Sequence, residues 1–329
     1  MFLNAERQQL VSIVVPAFNE EAVLPDFHQS IDRVLPELPF DFEIIYINDG
    51  SSDNTLDIIR KLRQSDDRVT LIDLSRNFGK EIALTAGLHK AAGDAVVVID
   101  ADLQDPPELI PELINEWQNG YDVVYAQRTH RKGESLLKRT TAHFFYRIIQ
   151  RISRISIPED TGDFRILSRR AVNALNTLSE QHRFMKGLFA WIGYRQKAVH
   201  YQRNPRQAGE TKWNYWRLWN FALDGITSFT IAPLKISTYL GLLTAAGAFA
   251  YGIYMLIDTL MHGNPVPGYP SLIVIILILG GVQLVAIGIL GEYLGRIFNE
   301  TKRRPLYFVN EYLPSPNIRS AQNTDNADS

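Results

Sequence analysis

Two long apolar segments near the C-terminus constrain the fold most strongly. Ile236–Ile257 and Ser271–Gly291 run for 22 and 21 residues without a charged side chain. As a helix, each is long enough to cross a hydrocarbon core about 30 Å thick. Helices buried in a soluble core are the alternative, but charge-free runs of this length are rarely needed there. The sequence therefore predicts two transmembrane helices, at about 236–257 and 271–293.

Charged residues around these segments predict how the chain is oriented. The connector Asp258–Pro270 contains no lysine or arginine, whereas the outer flanks carry Lys235, Arg296 and the basic run Lys302–Arg304. The positive-inside rule places the basic flanks, and both termini with them, in the cytoplasm. Only about ten residues, mostly polar, precede the first strand-like run, so no secretory signal is expected. The prediction is a multi-pass protein of the inner (plasma) membrane.

Composition excludes several classes of protein and site. The net charge of −2 and the pI near 6.4 give no support for a nucleic-acid partner. The chain has no cysteine, which excludes a disulfide framework and a thiolate metal site. Residues 315–329 are polar and poor in apolar groups, which predicts a disordered tail.

The region before the spans has the pattern of an α/β domain. Apolar, β-branched runs alternate with helical segments, and the predicted strands are Val11–Pro16, Phe42–Asn48, Val69–Leu74, Ala95–Asp100 and Asp122–Ala126. Such alternation predicts a doubly wound, mostly parallel sheet with helices on both faces.

Polar clusters follow three of these strands, at Asn19-Glu20, Asn48-Asp49 and Asp100–Gln104. Each by itself fits ordinary turn chemistry. Together they favour a nucleotide site, because the carboxyl ends of parallel strands meet at one edge and ligands bind there. Asp100 and Asp102 can both face one Mg²⁺ or Mn²⁺, which prefers oxygen ligands and often shares them with phosphates. No P-loop or dinucleotide-binding glycine motif is present.

Four motifs give the chain a family resemblance. Val14–Glu20, Asn48–Asp53, Arg76–Lys80 and Asp100–Pro107 resemble family 2 glycosyltransferases of the GT-A fold. The similarity is greatest to the polyprenyl-phosphate branch, which includes dolichol-phosphate mannosyltransferases. The two C-terminal spans resemble those of GtrB-type bactoprenol glucosyltransferases, and the resemblance covers roughly residues 10–310.

The resemblance also implies a division of the chain. Residues 1–212 are expected to form a cytoplasmic GT-A catalytic domain, and residues 213–233 an amphipathic interfacial helix. Residues 234–298 would hold the two transmembrane helices. Residues 299–329 would form a cytoplasmic tail with a disordered end.

The resemblance implies a site for a nucleotide diphosphate sugar. Asp102 and Gln104 are expected to hold the Mg²⁺ or Mn²⁺ that carries the diphosphate. Asn48 stands where many relatives have aspartate, so it keeps an acceptor but loses a charge. The residues expected to bind the nucleotide sugar are Pro16, Asn19, Glu20, Asp49, Lys80, Asp100, Arg206 and Lys212. The alternative for Arg206 and Lys212 is that they belong to a solvated basic loop.

A second motif, Thr161–Arg165, resembles the acceptor side of the family's site, and Asp163 is the expected catalytic carboxylate beside Asp102. Capping of a helix or strand end is the alternative role for Asp163. A phosphate monoester is mostly dianionic at pH 7. Asp163 can therefore orient the sugar or the acceptor instead of removing a proton.

A basic segment from Arg128 to Arg154 carries apolar residues at helical spacing, as expected for a helix on an anionic membrane surface. Arg128 and Arg131 are the expected ligands of an acceptor phosphate. A helix packed on the sheet with a solvated basic face is the alternative. The aromatic segment Trp213–Phe229 resembles an interfacial helix.

The resemblance implies an inverting transfer of a hexose to a polyprenyl phosphate. Glucose, UDP-glucose and undecaprenyl phosphate are favoured by likeness to the GtrB branch alone. A GDP-mannose-dependent mannosyltransferase and a membrane polysaccharide synthase are the alternatives, although the Gln-x-x-Arg-Trp motif of processive synthases is absent. A lipid translocator and a nucleotidyltransferase fit the sequence less well. A second copy of the chain, a flippase and a downstream glycosyltransferase are candidate partners.

Overall fold

The computed structural model describes residues 8–129, 158, 161–201, 232–262 and 268–317. The predicted site residues Arg131, Arg206 and Lys212 lie outside these ranges, as do the segment 213–231 and most of the basic segment that follows Arg128.

Strands and helices alternate through the first hundred residues, as predicted. An apolar strand, buried along nearly its whole length, is followed each time by a helix that packs on the sheet. The elements are β1 (Leu10–Ala17), α1 (Leu24–Val34), β2 (Asp41–Asn48), α2 (Thr55–Ser65), β3 (Val69–Leu74), α3 (Lys80–Lys90) and β4 (Ala95–Val98), with a 3₁₀ turn at Leu35–Glu37.

The second part of the chain completes the sheet and adds two long helices. A 3₁₀ turn at Pro107–Leu109 leads into it. Its elements are α4 (Ile110–Gln118), β5 (Val123–Arg128), β6 (Thr161–Ser168), α5 (Arg169–Thr177), α6 (Met185–Trp191), β7 (Gln196–Tyr201), α7 (Ala232–His262), α8 (Tyr269–Thr301) and β8 (Val309–Leu313).

All eight described strands belong to one sheet, in the order β7-β5-β6-β4-β1-β2-β3-β8. Strand β1 pairs in parallel with β2 and β4, β2 with β3, and β5 with β7. Strand β6 is antiparallel to both of its neighbours, and β8 is antiparallel to β3. The predicted mostly parallel sheet is confirmed, and β6, β7 and β8 are strands that the sequence analysis did not assign.

Helices cover both faces of this sheet, as predicted. On one face, Phe27 of α1 and Leu113 of α4 are fully buried against the strands. On the other face, Leu84 of α3, Val172 of α5 and Phe189 of α6 form a second buried cluster. The two clusters hold the carboxyl ends of β1, β2 and β4 at one edge, where the strand-end side chains collect.

The helices α7 and α8 carry the two predicted spans. They are 31 and 33 residues long, and their apolar side chains are largely exposed, as Leu243 (73%) and Leu284 (71%) illustrate. Within the described residues, Pro233–His262 and Val274–Thr301 are long and apolar enough to cross a membrane. Exposure of so much apolar surface suits a hydrocarbon surrounding rather than water.

The chain returns to the sheet after α8. Strand β8 pairs with β3, the Arg63 guanidinium donates to the carbonyls of Leu313 and Pro314, and the Ser315 N–H donates to Thr70 Oγ1 at 2.9 Å. The segment that follows the C-terminal end of α8 is thus tied to the sheet.

A buried carboxylate connects β8 with the turn after β2. Asp73 accepts one hydrogen bond from Asn48 Nδ2 at 2.7 Å and another from Asn310 Nδ2 at 2.8 Å. Asn48 Oδ1 in turn accepts from the Ser51 N–H. The Asn48 amide therefore acts here as a donor to Asp73, which an aspartate at this position could not be.

Removal of this carboxylate is expected to destabilise the fold. Asp73→Ala leaves the buried Asn48 amide without its acceptor, so the free energy of unfolding should fall by about 1–3 kcal/mol, measured by chemical denaturation of the purified protein. Asp57→Ala is the matched control, because its ion pair with Arg60 is largely exposed and should contribute little. Equal stability of the two variants would show that Asp73 does not join β8 to the sheet.

Candidate active site

A cleft of about 400 Å³ opens at the carboxyl ends of β1, β2 and β4. Ligands bind at this edge in open α/β sheets. The structure brings six of the predicted site residues to the cleft wall: Pro16, Glu20, Asp49, Lys80, Asp100 and Asp102. The other lining residues are Ala17, Phe18, Asn77, Gly79, Ala83 and Ala101.

Four other predicted site residues within the described ranges do not line the cleft: Asn19, Gln104, Arg128 and Asp163. Asn19 has a left-handed backbone (φ +56°), and its Oδ1 accepts from the Ser52 N–H at 2.8 Å. Its side chain therefore holds the β1–α1 loop against the β2–α2 loop, and its role in binding the nucleotide sugar stays a prediction. Gln104 is buried, with 6% exposure, and its N–H donates to Asp102 Oδ1 at 3.1 Å. The role of Gln104 as a metal ligand stays a prediction.

Asp49 fixes the loop that precedes α3. Its two carboxylate oxygens accept from the backbone N–H groups of Phe78 (2.7 Å) and Gly79 (2.9 Å). Burial raises the pKa of Asp49, and these two hydrogen bonds oppose that rise. The next residue, Gly50, has φ +64°, and a Cβ there would lie 2.4 Å from the Arg76 carbonyl carbon. Only glycine allows the two loops to approach so closely.

The loop held by Asp49 delivers Lys80 into the middle of the cleft. Lys80 Nζ donates to Asp100 Oδ2 at 2.7 Å and to Asp163 Oδ2 at 2.5 Å. Burial by itself would lower the pKa of Lys80, but the two carboxylates outweigh burial and raise it. Lys80 therefore carries a permanent positive charge that joins a strand-end acid of β4 to an acid of β6.

Asp163 is the third residue of β6, and among the described residues its carboxylate pairs with Lys80 rather than with a backbone cap. Burial would raise the pKa of Asp163, but the charges of Lys80 and Lys186 outweigh burial and hold it below its usual range. The second oxygen, Oδ1, is buried and has no hydrogen-bond partner in the described part of the chain. Asp163 is thus an ionised carboxylate with one oxygen left for a further contact.

Three charged residues around Asp163 were not identified from the sequence. Burial, reinforced by the charge of Asp163, raises the pKa of Glu81 to about 7. Burial also lowers the pKa of Lys186 on α6. Arg165 is buried with its guanidinium 3.8 Å from the centre of the Phe189 ring, and burial lowers its pKa to about 10. Glu81 adjoins the predicted Lys80, but no local pattern points to Lys186.

Arg128 ends strand β5 close to the loop that carries the cleft acids. Its Nε donates to Tyr201 Oη at 3.1 Å, and its side chain is 16% exposed. A Cβ on Gly162 would lie 3.1 Å from Arg128 Nη2. The residue before Asp163 therefore touches Arg128. The structure thus places Arg128 against the backbone of β6, one residue before Asp163 in sequence.

The donor set of the cleft fits a hard divalent cation that also binds a ligand. Asp100 and Asp102 line the same wall, and both offer oxygen. No cluster of three or more acidic or histidine side chains suited to a metal was found within the described residues. Mg²⁺ usually takes one or two carboxylates together with substrate phosphates rather than a cage made only of protein. The two carboxylates therefore match a cation shared with a diphosphate.

Comparison with known proteins covers both parts of the chain. The glycosyl transferase family 2 model matches residues 12–175, and a model of the GtrB C-terminal hairpin matches residues 232–297. An uncharacterized glycosyltransferase of Synechocystis is 53% identical, over 92% of this chain and 97% of its own length.

Two relatives carry more specific names. The bactoprenol glucosyl transferase of Shigella phage SfV is 52% identical over 91% of this chain and 97% of its own length. The prophage bactoprenol glucosyl transferase homolog of Escherichia coli K12 is 50% identical over 91% of this chain and 98% of its own. Among solved structures, glucosyl-3-phosphoglycerate synthase from Mycobacterium tuberculosis superposes with a TM-score of 0.47 at 19% identity, over 67% of this chain and 79% of that one. With its strand-end cleft, its family match and relatives of this identity along nearly its whole length, the chain belongs to the family 2 glycosyltransferases, in the group that ends in a GtrB-type hairpin.

Proposed function

We propose that this protein transfers glucose from UDP-glucose to a polyprenyl phosphate, undecaprenyl phosphate in a bacterial membrane, with inversion at the anomeric carbon. The observation that carries this proposal is the identity of 52% with a bactoprenol glucosyl transferase over 91% of the chain. The similarity includes the catalytic domain and also the hairpin, which matches a model of its own. The similarity to that relative therefore extends over both the domain with the donor site and the hairpin proposed to hold this domain at a membrane.

The proposed chemistry is a single displacement. An oxygen of the lipid phosphate attacks the anomeric carbon and forms the new bond, while the bond from that carbon to the diphosphate breaks and its electron pair leaves with UDP. Since the lipid phosphate is largely dianionic near pH 7, the attack needs no proton removal. Catalysis then depends on orientation and on stabilising the charge of the leaving diphosphate.

The residues of the cleft take distinct roles in this proposal. Pro16, Glu20 and Asp49 bound the part of the cleft assigned to the nucleoside, and Asn19 supports that loop. The ionised Asp163 orients the sugar or the acceptor through its buried oxygen. Lys80 keeps Asp163 ionised and adds positive charge beside the diphosphate. Arg206 and Lys212, proposed to close over the diphosphate, lie outside the described residues.

A divalent cation fits the oxygen donors of this cleft. Asp102 and Gln104 are the residues proposed to hold Mg²⁺ or Mn²⁺, with Asp100 beside them on the cleft wall. When bound, such a cation supplies positive charge to the oxygens of the leaving diphosphate. Arg128, together with Arg131 outside the described residues, is proposed to bind the acceptor phosphate.

The proposed location is the inner membrane, with the catalytic domain in the cytoplasm. The connector between α7 and α8 contains no lysine or arginine, while basic residues lie at the outer ends of both helices. Pairing of β8 with β3 supports a hairpin whose two outer ends lie on the side of the catalytic domain. That side must be the cytoplasm for the cleft to meet nucleotide sugars.

Transfer assays with membranes that contain the protein test this function. Labelled UDP-glucose, GDP-mannose and other nucleotide sugars are each incubated with undecaprenyl phosphate, and the lipid fraction is analysed for labelled sugar. We expect UDP-glucose to label the lipid most efficiently, in a product that releases glucose on mild acid treatment. If GDP-mannose alone labels the lipid, the donor is GDP-mannose and not UDP-glucose. The absence of any lipid-linked product would overturn the proposed acceptor.

A further inference from the structure

A chain of three polar side chains links Arg128, the proposed acceptor-phosphate ligand, to the acidic loop that follows β4. Arg128 Nε donates to Tyr201 Oη at 3.1 Å, and the Tyr201 hydroxyl donates to Asp105 Oδ1. Tyr201 and Asp105 are almost fully buried, with 6% and 2% exposure. Arg128 ends β5, Tyr201 ends β7, and Asp105 belongs to the acidic loop after β4. The three residues therefore join three separate parts of the chain.

The tyrosine hydroxyl stands between the positive and the negative charge. Arg128 Nη2 and Asp105 Oδ1 are 3.7 Å apart, which is beyond hydrogen-bond distance. Burial and the neighbouring Asp105 raise the pKa of Tyr201 to about 12, so the hydroxyl keeps its proton at neutral pH and donates it to Asp105. Arg128 and Asp105 therefore form an ion pair at 3.7 Å, but their hydrogen-bonded link runs through this hydroxyl and not through two direct, parallel hydrogen bonds.

A direct pair joined by two parallel hydrogen bonds is the arrangement that arginine and carboxylate ordinarily adopt, because two N–H donors match two carboxylate oxygens. In that pair the carboxylate would occupy the donors that a phosphate needs. The hydroxyl prevents this by accepting from Arg128 and donating to Asp105 at the same time.

A glycine completes the arrangement from the side of β6. A Cβ on Gly162 would lie 3.1 Å from Arg128 Nη2 and 3.3 Å from Asp105 Oδ2. The backbone of β6 therefore packs directly against the pair, one residue before Asp163. The absence of a side chain at Gly162 therefore lets the Arg128 guanidinium and the Asp105 carboxylate lie against the backbone of β6.

We propose that Tyr201 is a positioning residue that keeps Arg128 from forming a direct hydrogen-bonded pair with Asp105 and so leaves its guanidinium donors available to the phosphate of the lipid acceptor. This inference rests on the proposed function, because it assigns a means of acceptor binding to that same site. Tyr201 does not touch the reacting atoms in this assignment. It acts through Arg128.

The variant Tyr201→Phe tests the inference in the full-length protein. Without the hydroxyl, Arg128 is expected to move onto Asp105 and form the direct pair. The apparent KM for a short-chain polyprenyl phosphate should then rise about 10-fold or more, as loss of a hydrogen bond to a charged group predicts. The KM for the nucleotide sugar and the kcat at saturating acceptor should stay at their wild-type values.

A second substitution separates positioning from a merely structural role. In Tyr201→Phe/Asp105→Asn, the amide that replaces the carboxylate cannot form the direct ion pair, so the acceptor KM should return toward the wild-type value. A loss of packing alone would be worsened by the second change, not relieved. Tyr46→Phe is the matched control, since it removes a buried hydroxyl that bonds His28 at 3.0 Å, away from the cleft. It should leave the acceptor KM unchanged.

The outcomes distinguish this inference from the proposed function. If the wild-type protein transfers sugar to polyprenyl phosphate and Tyr201→Phe leaves the acceptor KM unchanged, the positioning role is overturned while the function stands. The same conclusion follows if the double variant is poorer than Tyr201→Phe. If the wild-type protein itself transfers no sugar to the lipid, the function has failed first, and the inference fails with it.

Discussion

Replacement of Asp163 by asparagine is expected to reduce turnover by at least ~10²-fold, the order of effect that follows loss of a positioned catalytic group. The substitution removes the negative charge that faces Lys80 at 2.5 Å. It also changes the group that offers a buried oxygen to a ligand. Because Asp163 lies on β6, apart from the loops assigned to the nucleoside, affinity for the donor should change little.

Two measurements on one preparation separate these effects. Calorimetry with UDP-glucose reports donor binding, and a transfer assay with undecaprenyl phosphate reports turnover. Asp122→Asn is the control, because Asp122 is a buried acid that accepts from the Ser168 hydroxyl and lies outside the cleft. Its loss can lower stability but should leave turnover intact. Wild-type turnover in Asp163→Asn would assign Asp163 a structural role.

Removal of divalent cations should abolish transfer, and Asp102→Ala should reduce it by at least ~10²-fold, because a metal stabilises transition-state charge by several kcal/mol. Asp102 lines the cleft, and its Oδ1 accepts from the Gln104 N–H, which orients the carboxylate at the start of the loop. Activity lost in EDTA should return with Mg²⁺ or Mn²⁺.

A binding measurement adds a readout that does not depend on turnover. Titration of Mn²⁺ in the presence of UDP should show a site in the wild-type protein and a much weaker one in Asp102→Ala. Glu108→Ala is the matched control, because Glu108 is an exposed acid six residues further along the same segment. Full turnover in EDTA would falsify the assignment of a cation to this cleft.

The location of the cleft could be predicted from short stretches of sequence. Apolar runs followed by Asn19-Glu20, Asn48-Asp49 and Asp100–Gln104 mark strand ends, and parallel strands bring such ends to one edge. The structure confirms that edge, with Glu20, Asp49, Asp100 and Asp102 on one cleft wall. The two long apolar helices could also be predicted, because length and absence of charge are properties of one continuous segment.

The strands after β5 could not be predicted in the same way. Strand β6 lies antiparallel between β4 and β5, and β8 joins β3 across more than two hundred intervening residues. Val309–Leu313 is short and half polar, so its local pattern does not distinguish an edge strand from a tail. Its pairing partner decides its structure, and that partner is known only when the chain has folded.

The sequence by itself determined the fold class, the two apolar helices and the identity of most of the cleft acids, because each depends on residues close together in the chain. Only the tertiary structure decided how these groups act on one another. Lys80, Asp163 and Lys186 come from α3, β6 and α6, and together they fix the ionisation of Asp163. Folding likewise brings the hydroxyl of Tyr201, on β7, between Arg128 of β5 and Asp105 of the loop after β4. Electrostatic energies and hydrogen bonds depend on distances of a few ångströms, and folding alone sets those distances between residues far apart in sequence.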